Sequence, residues 1–169
     1  KDPKIKKKTI NKKNIQVGLI ARLELVKGTR LFIEAANTLK NKNINFLIGG
    51  DGHLEKELKK LSKGNDKIKF IGNVLNPLNF IKDLDILVVP SIREPLGIVN
   101  IEAGLCKVPV IASNIDGIPE VVINNHSGIL INPTKKINFK YYREQPPLPN
   151  SVIDPNTYKL IKPKQLDSK

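Results

Sequence analysis

Charged side chains that could bind an anionic ligand follow directly after apolar segments of this 169-residue sequence. Arg22 and Lys27 come after the first apolar segment, and Glu94 comes after the fourth, which Pro90 ends. Glu102 lies eight residues beyond Glu94, on a predicted helix. Two cations can neutralise a diphosphate, and a carboxylate can accept hydrogen bonds from vicinal hydroxyl groups.

The segment from Glu94 to Cys106 combines these charges with the start of a helix. Pro95 is expected to open that helix, because its missing N–H costs nothing in the first turn. The backbone amides from Leu96 to Ile98 would then add anion-binding N–H groups and a favourable dipole. Gly97 would let a ligand approach the backbone closely. Since this helix is apolar almost all round, we expect it to be covered on most sides.

Six apolar segments predict the strands that must position these groups, and helical periodicity separates several of them. The strands are expected at 15–20, 44–48, 68–71, 86–89, 109–112 and 128–131. Thr29 is expected to cap the first helix. This alternation predicts an α/β fold with a Rossmann-like, doubly wound parallel sheet of about six strands.

In a parallel sheet the loops that follow the strands share one edge. Gly50–Gly52 follows the second strand, Ser91–Glu94 the fourth and Asp116–Glu120 the fifth, so these loops can converge with Arg22 and Lys27 on one ligand. Cations for phosphates, a carboxylate for hydroxyls and a crevice at the strand ends together suggest a nucleotide sugar.

Each of these residues also has an ordinary structural interpretation. A single loop cation is usually a surface charge, Glu94 could complement a helix dipole, and Glu102 could lie on a solvent-exposed strip. Gly50-Asp-Gly52 could be a simple turn. His53 and His126 lack partners at metal-ligand spacing, and the sequence has no phosphate-loop motif and no complete Gly-x-Gly-x-x-Gly. Metal, P-loop and NAD sites are therefore disfavoured.

Composition and charge favour one globular domain with basic ends. Hydrophobic residues make up 40% of the chain, and no apolar run reaches the ~18 residues of a membrane span. The net charge is +13, of which residues 1–13 contribute +6 and residues 134–169 contribute +5. The folded part is nearly neutral, so nucleic-acid recognition is disfavoured, whereas basic ends attract phosphate or anionic lipid weakly.

Three parts are expected: a basic arm at 1–13, the α/β domain at 14–133 and an irregular, partly disordered extension at 134–169. The extension has five prolines and all three tyrosines, and Phe139, Tyr141 and Tyr142 could pack over the sheet. Cys106, the single cysteine, is expected to be a small core residue in a reducing, cytoplasmic setting.

Seven short motifs occur in order between residues 15 and 133. They are Ala21-Arg22-Leu-Glu-Leu-Val-Lys27-Gly28, Gly50-Asp-Gly52, Phe70-Ile-Gly72, Pro90-Ser91, Glu94-Pro-Leu-Gly-Ile-Val-Asn-Ile-Glu102-Ala, Pro109-Val-Ile-Ala-Ser and Gly117-Ile-Pro-Glu120. Together they resemble the C-terminal, donor-binding domain of GT-B retaining glycosyltransferases of the family-4 type, also called glycosyl transferases group 1. Ala21 departs from the family pattern, which usually has Gly there.

The resemblance implies a UDP-, GDP- or ADP-sugar donor, no metal and transfer with retention. Arg22 and Lys27 would hold the diphosphate and stabilise the leaving nucleotide. Glu94 would face the sugar, and the amides from Leu96 to Ile98 would contact sugar hydroxyls and phosphate. Glu102 would bind the ribose hydroxyls.

The nucleobase would rest near Ile71, Gly72 and Asn73, beside the Gly50–Gly52 turn. The acceptor, a glycan or a lipid-linked molecule of surface polysaccharide or glycolipid synthesis, would bind an N-terminal domain that has no counterpart in this sequence. We therefore expect the isolated chain to bind nucleotide weakly and to turn over nothing. Basic ends could hold the protein near anionic membrane. The alternative is a non-catalytic, truncated module with a scaffolding role.

Overall fold

One sheet of six parallel strands forms the centre of the protein. The computed structural model describes residues 14–39, 43–136, 152–154, 157, 159–162 and 164–165. The strand order is β3-β2-β1-β4-β5-β6, which confirms the predicted doubly wound α/β fold. The strands are β1 (Ile15–Ile20), β2 (Ile44–Gly49), β3 (Ile68–Gly72), β4 (Ile86–Val89), β5 (Val110–Ser113) and β6 (Gly128–Ile131).

Five helices connect these strands and cover both faces of the sheet. They are α1 (Thr29–Thr38), α2 (Glu55–Leu61), α3 (Pro77–Lys82), α4 (Ile98–Leu105) and α5 (Ile118–Val121). Leu19 and Ile48 pack with the first two helices, through residues such as Ile33 and Leu58. On the opposite face, Leu87 and Val110 belong to a second buried cluster that includes residues of α3, α4 and α5. The alternation of side chains along each strand supplies both cores.

Glycines move two helix starts away from the predicted positions. Gly97 has φ of 78° and precedes α4, so the helix begins at Ile98 and Pro95 lies in the preceding loop rather than in the first turn. Gly28 has φ of 68° and precedes α1 in the same way, so Thr29 is the first helical residue rather than the cap. A left-handed residue cannot belong to a right-handed helix, so both predicted starts were wrong.

One face of α4 is more exposed than its composition indicated. Ile98, Ile101 and Leu105 are 65%, 42% and 74% exposed, and residues at this spacing share one helix face. Only Asn100 and Ala103 of this helix are buried. The expectation that α4 is covered on most sides is therefore wrong within the part of the chain that the structure describes.

The final segment forms short antiparallel pairs where it is described. Strand β7 (Lys135–Lys136) pairs with β10 (Lys164–Gln165), and β8 (Val152–Ile153) pairs with β9 (Leu160–Ile161). The sequence did not predict these pairs. The expected packing of Phe139, Tyr141 and Tyr142 and the expected basic arm at 1–13 lie outside the described residues. None of the helices described here has the length and apolar character to cross a membrane.

Candidate functional site

A cavity of about 440 Å³ opens where the chain switches from one half of the sheet to the other. Strands β1 and β4 are neighbours in the sheet, although β2 and β3 separate them in the sequence. Ligands of open α/β sheets bind in the crevice at the carboxyl ends of such strands. The polar side chains that line this cavity are Arg22, Lys27, Ser91 and Glu94.

Lys27 and Glu94 form an ion pair across this cavity. The Lys27 Nζ lies 2.7 Å from Glu94 Oε2, and the two side chains are 19% and 12% exposed. The Ser91 hydroxyl donates to the same carboxylate oxygen at 3.3 Å. The fold therefore brings together two predicted site residues that are 67 positions apart in the chain.

The loops that carry these two residues are joined through their backbones. The carbonyl oxygen of Val26 accepts the N–H of Ile92 at 2.7 Å and that of Arg93 at 3.3 Å. Gly28 approaches Pro90 so closely that a Cβ at position 28 would collide with the Pro90 carbonyl oxygen. A glycine is needed there both for this contact and for its positive φ.

Arg22 lies at the mouth of the cavity and is more exposed than Lys27. Its guanidinium donates to Glu24 at 2.7 Å, and its side chain is 71% exposed. An exposed pair of this kind contributes only about 0–1 kcal/mol, so Arg22 can exchange Glu24 for another anion at little cost.

The start of α4 adds backbone donors to the cavity. Leu96, Gly97 and Ile98 line it, although the helix begins only at Ile98. Their N–H groups have no backbone acceptor within the described part of the chain, as expected for the residues just before and at a helix start. Amides in this position are suited to an anion because the helix dipole adds a partial positive charge.

Asp116 is a site-supporting residue that the sequence analysis did not single out. Its Oδ2 accepts the backbone N–H of Glu94 at 2.9 Å, and its Oδ1 lies 3.4 Å from the guanidinium of Arg93. The loop 116–120 was expected at this edge of the sheet, but no role was assigned to Asp116 itself. The Asp-Gly dipeptide after β5 was the available signal, because this pair favours turns with φ above zero.

The predicted nucleobase residues lie beside the cavity rather than in it. Gly50 donates its N–H to the Gly72 carbonyl at 2.7 Å, which joins the ends of β2 and β3. Gly50 also lies against the loop of β1, where a Cβ would collide with the Ala21 carbonyl oxygen. Ile71 is 49% exposed on this rim. Contact of Gly50, Gly52, Ile71, Gly72 and Asn73 with a base stays a prediction.

Glu102 is one turn beyond Ile98 on α4 and shares the helix face of Ile98, but it does not line the cavity. Its side chain is half-buried, and no described residue hydrogen-bonds to its carboxylate or pairs with it. A carboxylate so placed is available to hydroxyl groups, but its contact with a ribose stays a prediction.

Metal-ligating side chains are dispersed in the described residues, where no group of three or more His, Cys, Asp or Glu side chains could hold an ion. His53 and His126 are both exposed. Cys106 has a free thiol and packs against the core cluster on the α4 side of the sheet.

The fold and the cavity define an α/β domain with a crevice at its switch point that Arg22 and Lys27 line. Residues 1–142 match the model of the family described as Glycosyl transferases group 1, so the chain belongs to this family. The capsular polysaccharide biosynthesis glycosyltransferase CapM of Staphylococcus aureus is 28% identical over 138 residues, which are 78% of this chain and 36% of that protein. The alpha-D-kanosaminyltransferase of Streptomyces kanamyceticus is 29% identical and matches 68% of this chain and 31% of its own length.

Solved glycosyltransferases of the GT-B fold have the same architecture in part of their chains. Anabaena HepE in complex with UDP and glucose superposes with a TM-score of 0.66 at 28% identity, over 72% of this chain and 35% of HepE. The C-terminal domain of LpcC from Francisella tularensis superposes with a TM-score of 0.63 at 29% identity, over 70% of this chain and 68% of that domain structure. The chain spans about a third of the length of the curated relatives. Its sheet is the Rossmann-like half of a GT-B fold.

Proposed function

We propose that this chain is the donor-binding domain of a glycosyltransferase that takes its sugar from a nucleotide diphosphate. This proposal rests on one observation. A single cavity at the switch point is lined by Arg22, by Lys27 and by the residues from Leu96 to Ile98, whose amides lie at the start of α4. Three sources of positive potential around one cavity suit a diphosphate. The similar HepE holds UDP and glucose.

The cations would act on the leaving nucleotide. As the bond between sugar and diphosphate breaks, negative charge develops on the phosphate oxygens, and a preorganised ammonium, guanidinium and helix start stabilise it. Lys27 would exchange Glu94 for a phosphate oxygen in that step, and Arg22 would exchange Glu24. These groups would neutralise the diphosphate without a metal ion.

The carboxylates would bind hydroxyl groups rather than form covalent bonds. Glu94, released from Lys27, would accept hydrogen bonds from the sugar, and Glu102 would accept them from the ribose. The base would lie against Ile71, Gly72 and Asn73, next to Gly50 and Gly52. Transfer with retention would proceed by attack on the face from which the nucleotide leaves, so neither carboxylate would act as the nucleophile of a double displacement.

The acceptor would be a glycan or a lipid-linked molecule of surface polysaccharide or glycolipid synthesis. Its binding would depend on a further domain, because this chain spans about a third of its curated relatives. Residues 1–13, with a charge of +6, would favour an anionic membrane surface, where lipid-linked acceptors lie. Co-sedimentation with anionic vesicles tests this attraction. Binding that is unchanged at high salt, or after removal of residues 1–13, would show that these basic residues do not attract the protein to the membrane.

Calorimetric titration with UDP, GDP and ADP tests the donor site. We expect at least one of them to bind, and Arg22→Ala and Lys27→Ala each to weaken it about ten-fold, because each removes a charge-assisted contact with phosphate. Lys56→Ala is the matched control, since it removes an exposed lysine of α2 outside the cavity.

Two results would contradict the proposal. One is that none of the three nucleotides binds to the wild-type chain. The other is that both cavity variants bind as tightly as Lys56→Ala. Either result would favour the alternative, a non-catalytic module with a scaffolding role.

A further inference from the structure

Both backbone polar groups of Glu94 are bonded to the loop between β5 and α5. The Glu94 N–H donates to Asp116 Oδ2 at 2.9 Å, and the Glu94 carbonyl accepts the N–H of Gly117 at 3.4 Å. A Cβ at Gly117 would collide with the carbonyl oxygen of Pro95, so the two loops are in close contact. The backbone from which the Glu94 side chain extends is thus held on both sides.

Asp116 makes these contacts from an uncommon backbone conformation. Its φ is 43°, where a glycine meets no steric penalty and an aspartate does. Its side chain is only 4% exposed, and the charge of the carboxylate is compensated by Arg93 at 3.4 Å. Burial of a charged side chain in this conformation, bonded to the backbone of Glu94, points to a constraint beyond that of an exposed turn.

The Glu94 carboxylate points into the cavity, toward Lys27 and Ser91. With its backbone held by residues 116 and 117, Glu94 reaches both Lys27 Nζ and Ser91 Oγ with one oxygen. Ordering a flexible side chain on binding costs free energy, and the contacts with Lys27 and Ser91 already restrict the rotamer of Glu94.

We propose that Asp116 is a positioning residue that orients Glu94 toward the sugar of the bound donor. It acts through the N–H of Glu94 and does not itself line the cavity. This inference rests on the proposed function, and it assigns Asp116 to the recognition of the sugar rather than of the nucleotide. A substitution of Asp116 should therefore change the affinity for a nucleotide sugar relative to the affinity for its nucleoside diphosphate.

The test compares UDP-glucose with UDP, GDP-mannose with GDP and ADP-glucose with ADP by calorimetry. The measured quantity is the ratio of sugar-nucleotide affinity to diphosphate affinity for the pair that binds the wild-type chain. Asp116→Gly lowers this ratio about five- to ten-fold, because a hydrogen bond couples Asp116 to Glu94. Affinity for the diphosphate alone does not fall, because Lys27 and Arg22 remain in place.

Two further variants separate positioning from a general loss of structure. Asn125→Gly is the matched control, because Asn125 also has a positive φ of 62° but lies on the exposed turn before β6. It leaves the ratio unchanged. Asp116→Asn keeps an oxygen that can accept the Glu94 N–H, so its affinity ratio is close to that of the wild type. This variant also provides a test if Asp116→Gly does not fold.

A double variant shows whether Asp116 acts through Glu94. In the background of Glu94→Gln, Asp116→Gly has no further effect on the ratio, because the carboxylate that it orients is absent. Two results would overturn the positioning role and leave the proposed function intact. One is an unchanged affinity ratio in Asp116→Gly, and the other is that Asp116→Gly lowers the ratio equally in the wild-type and Glu94→Gln backgrounds. If no nucleotide or nucleotide sugar binds the wild-type chain, both conclusions are wrong.

Discussion

Each cation that lines the cavity is paired with a carboxylate. Lys27 pairs with Glu94 in a half-buried position, whereas Arg22 pairs with Glu24 at the surface. A diphosphate that binds both cations, as proposed above, would displace one partly desolvated carboxylate and one solvated carboxylate. The first exchange costs more, because charge interactions are screened less where water is excluded.

This difference predicts opposite effects of one substitution on two ligands. Glu94→Gln leaves Lys27 free for phosphate, so affinity for the nucleoside diphosphate rises about three- to ten-fold. Affinity for the nucleotide sugar relative to the diphosphate falls, because the sugar loses a charged acceptor. Titration of both ligands measures the two effects.

Glu24→Gln is the control for Glu94→Gln. It breaks the exposed pair with Arg22, so affinity for the diphosphate changes by less than about three-fold. If Glu94→Gln instead weakens diphosphate binding, Glu94 does not compete with phosphate for Lys27.

At the scale of elements, the junction of the β1 and β4 loops shapes the cavity. Val26 accepts two backbone N–H groups from the β4 loop, and Gly28 lies against Pro90. The same Gly28 precedes α1, so one residue both ends the cation-bearing loop and starts the next helix. A side chain at this position must separate the two loops.

Gly28→Ala is therefore expected to lower the free energy of unfolding by about 3 kcal/mol or more, because backbone strain and a collision with a carbonyl oxygen add. Gly64→Ala is the matched control. Gly64 has φ of 97°, but a Cβ there would meet nothing within 4 Å, so only the conformational cost of about 1–2 kcal/mol applies. Urea unfolding of both variants gives the comparison, and equal losses would show that the contact with Pro90 is unimportant.

At the scale of the whole molecule, the proposed donor site lies within one α/β domain. The match covers about a third of the length of the curated relatives. On the proposed function, donor binding would depend on the residues described here, whereas sugar transfer would also need groups that bind the acceptor.

We accordingly expect the isolated 169-residue chain to bind a nucleotide but to transfer no sugar. The reacting sugar would be open to water on the side where an acceptor domain should lie, and proximity, a large part of catalysis, would be lost. Release of UDP, GDP or ADP from the corresponding nucleotide sugars, in the presence of lipid extracts or glycan acceptors, measures turnover. Acceptor-dependent release by the purified chain would contradict this expectation.

The apolar pattern of the sequence was sufficient for the strands and for most helices. Strands β1, β4 and β6 begin and end where the pattern predicts, because an apolar run between turn residues is a local signal. The starts of α1 and α4 were misplaced, because the left-handed conformation of Gly28 and Gly97 is not visible in the apolar pattern. At Gly28 it accompanies a close contact with the distant backbone of Pro90.

The sequence by itself determined the class of fold, the family and the candidate residues Arg22, Lys27 and Glu94, because residue type and local spacing carry that information. The tertiary structure alone decided that Lys27 pairs with Glu94 and that Asp116 holds the backbone of Glu94. The physical reason is the strand order, which places β4 between β1 and β5 in the sheet and thereby brings together loops that are far apart in the chain.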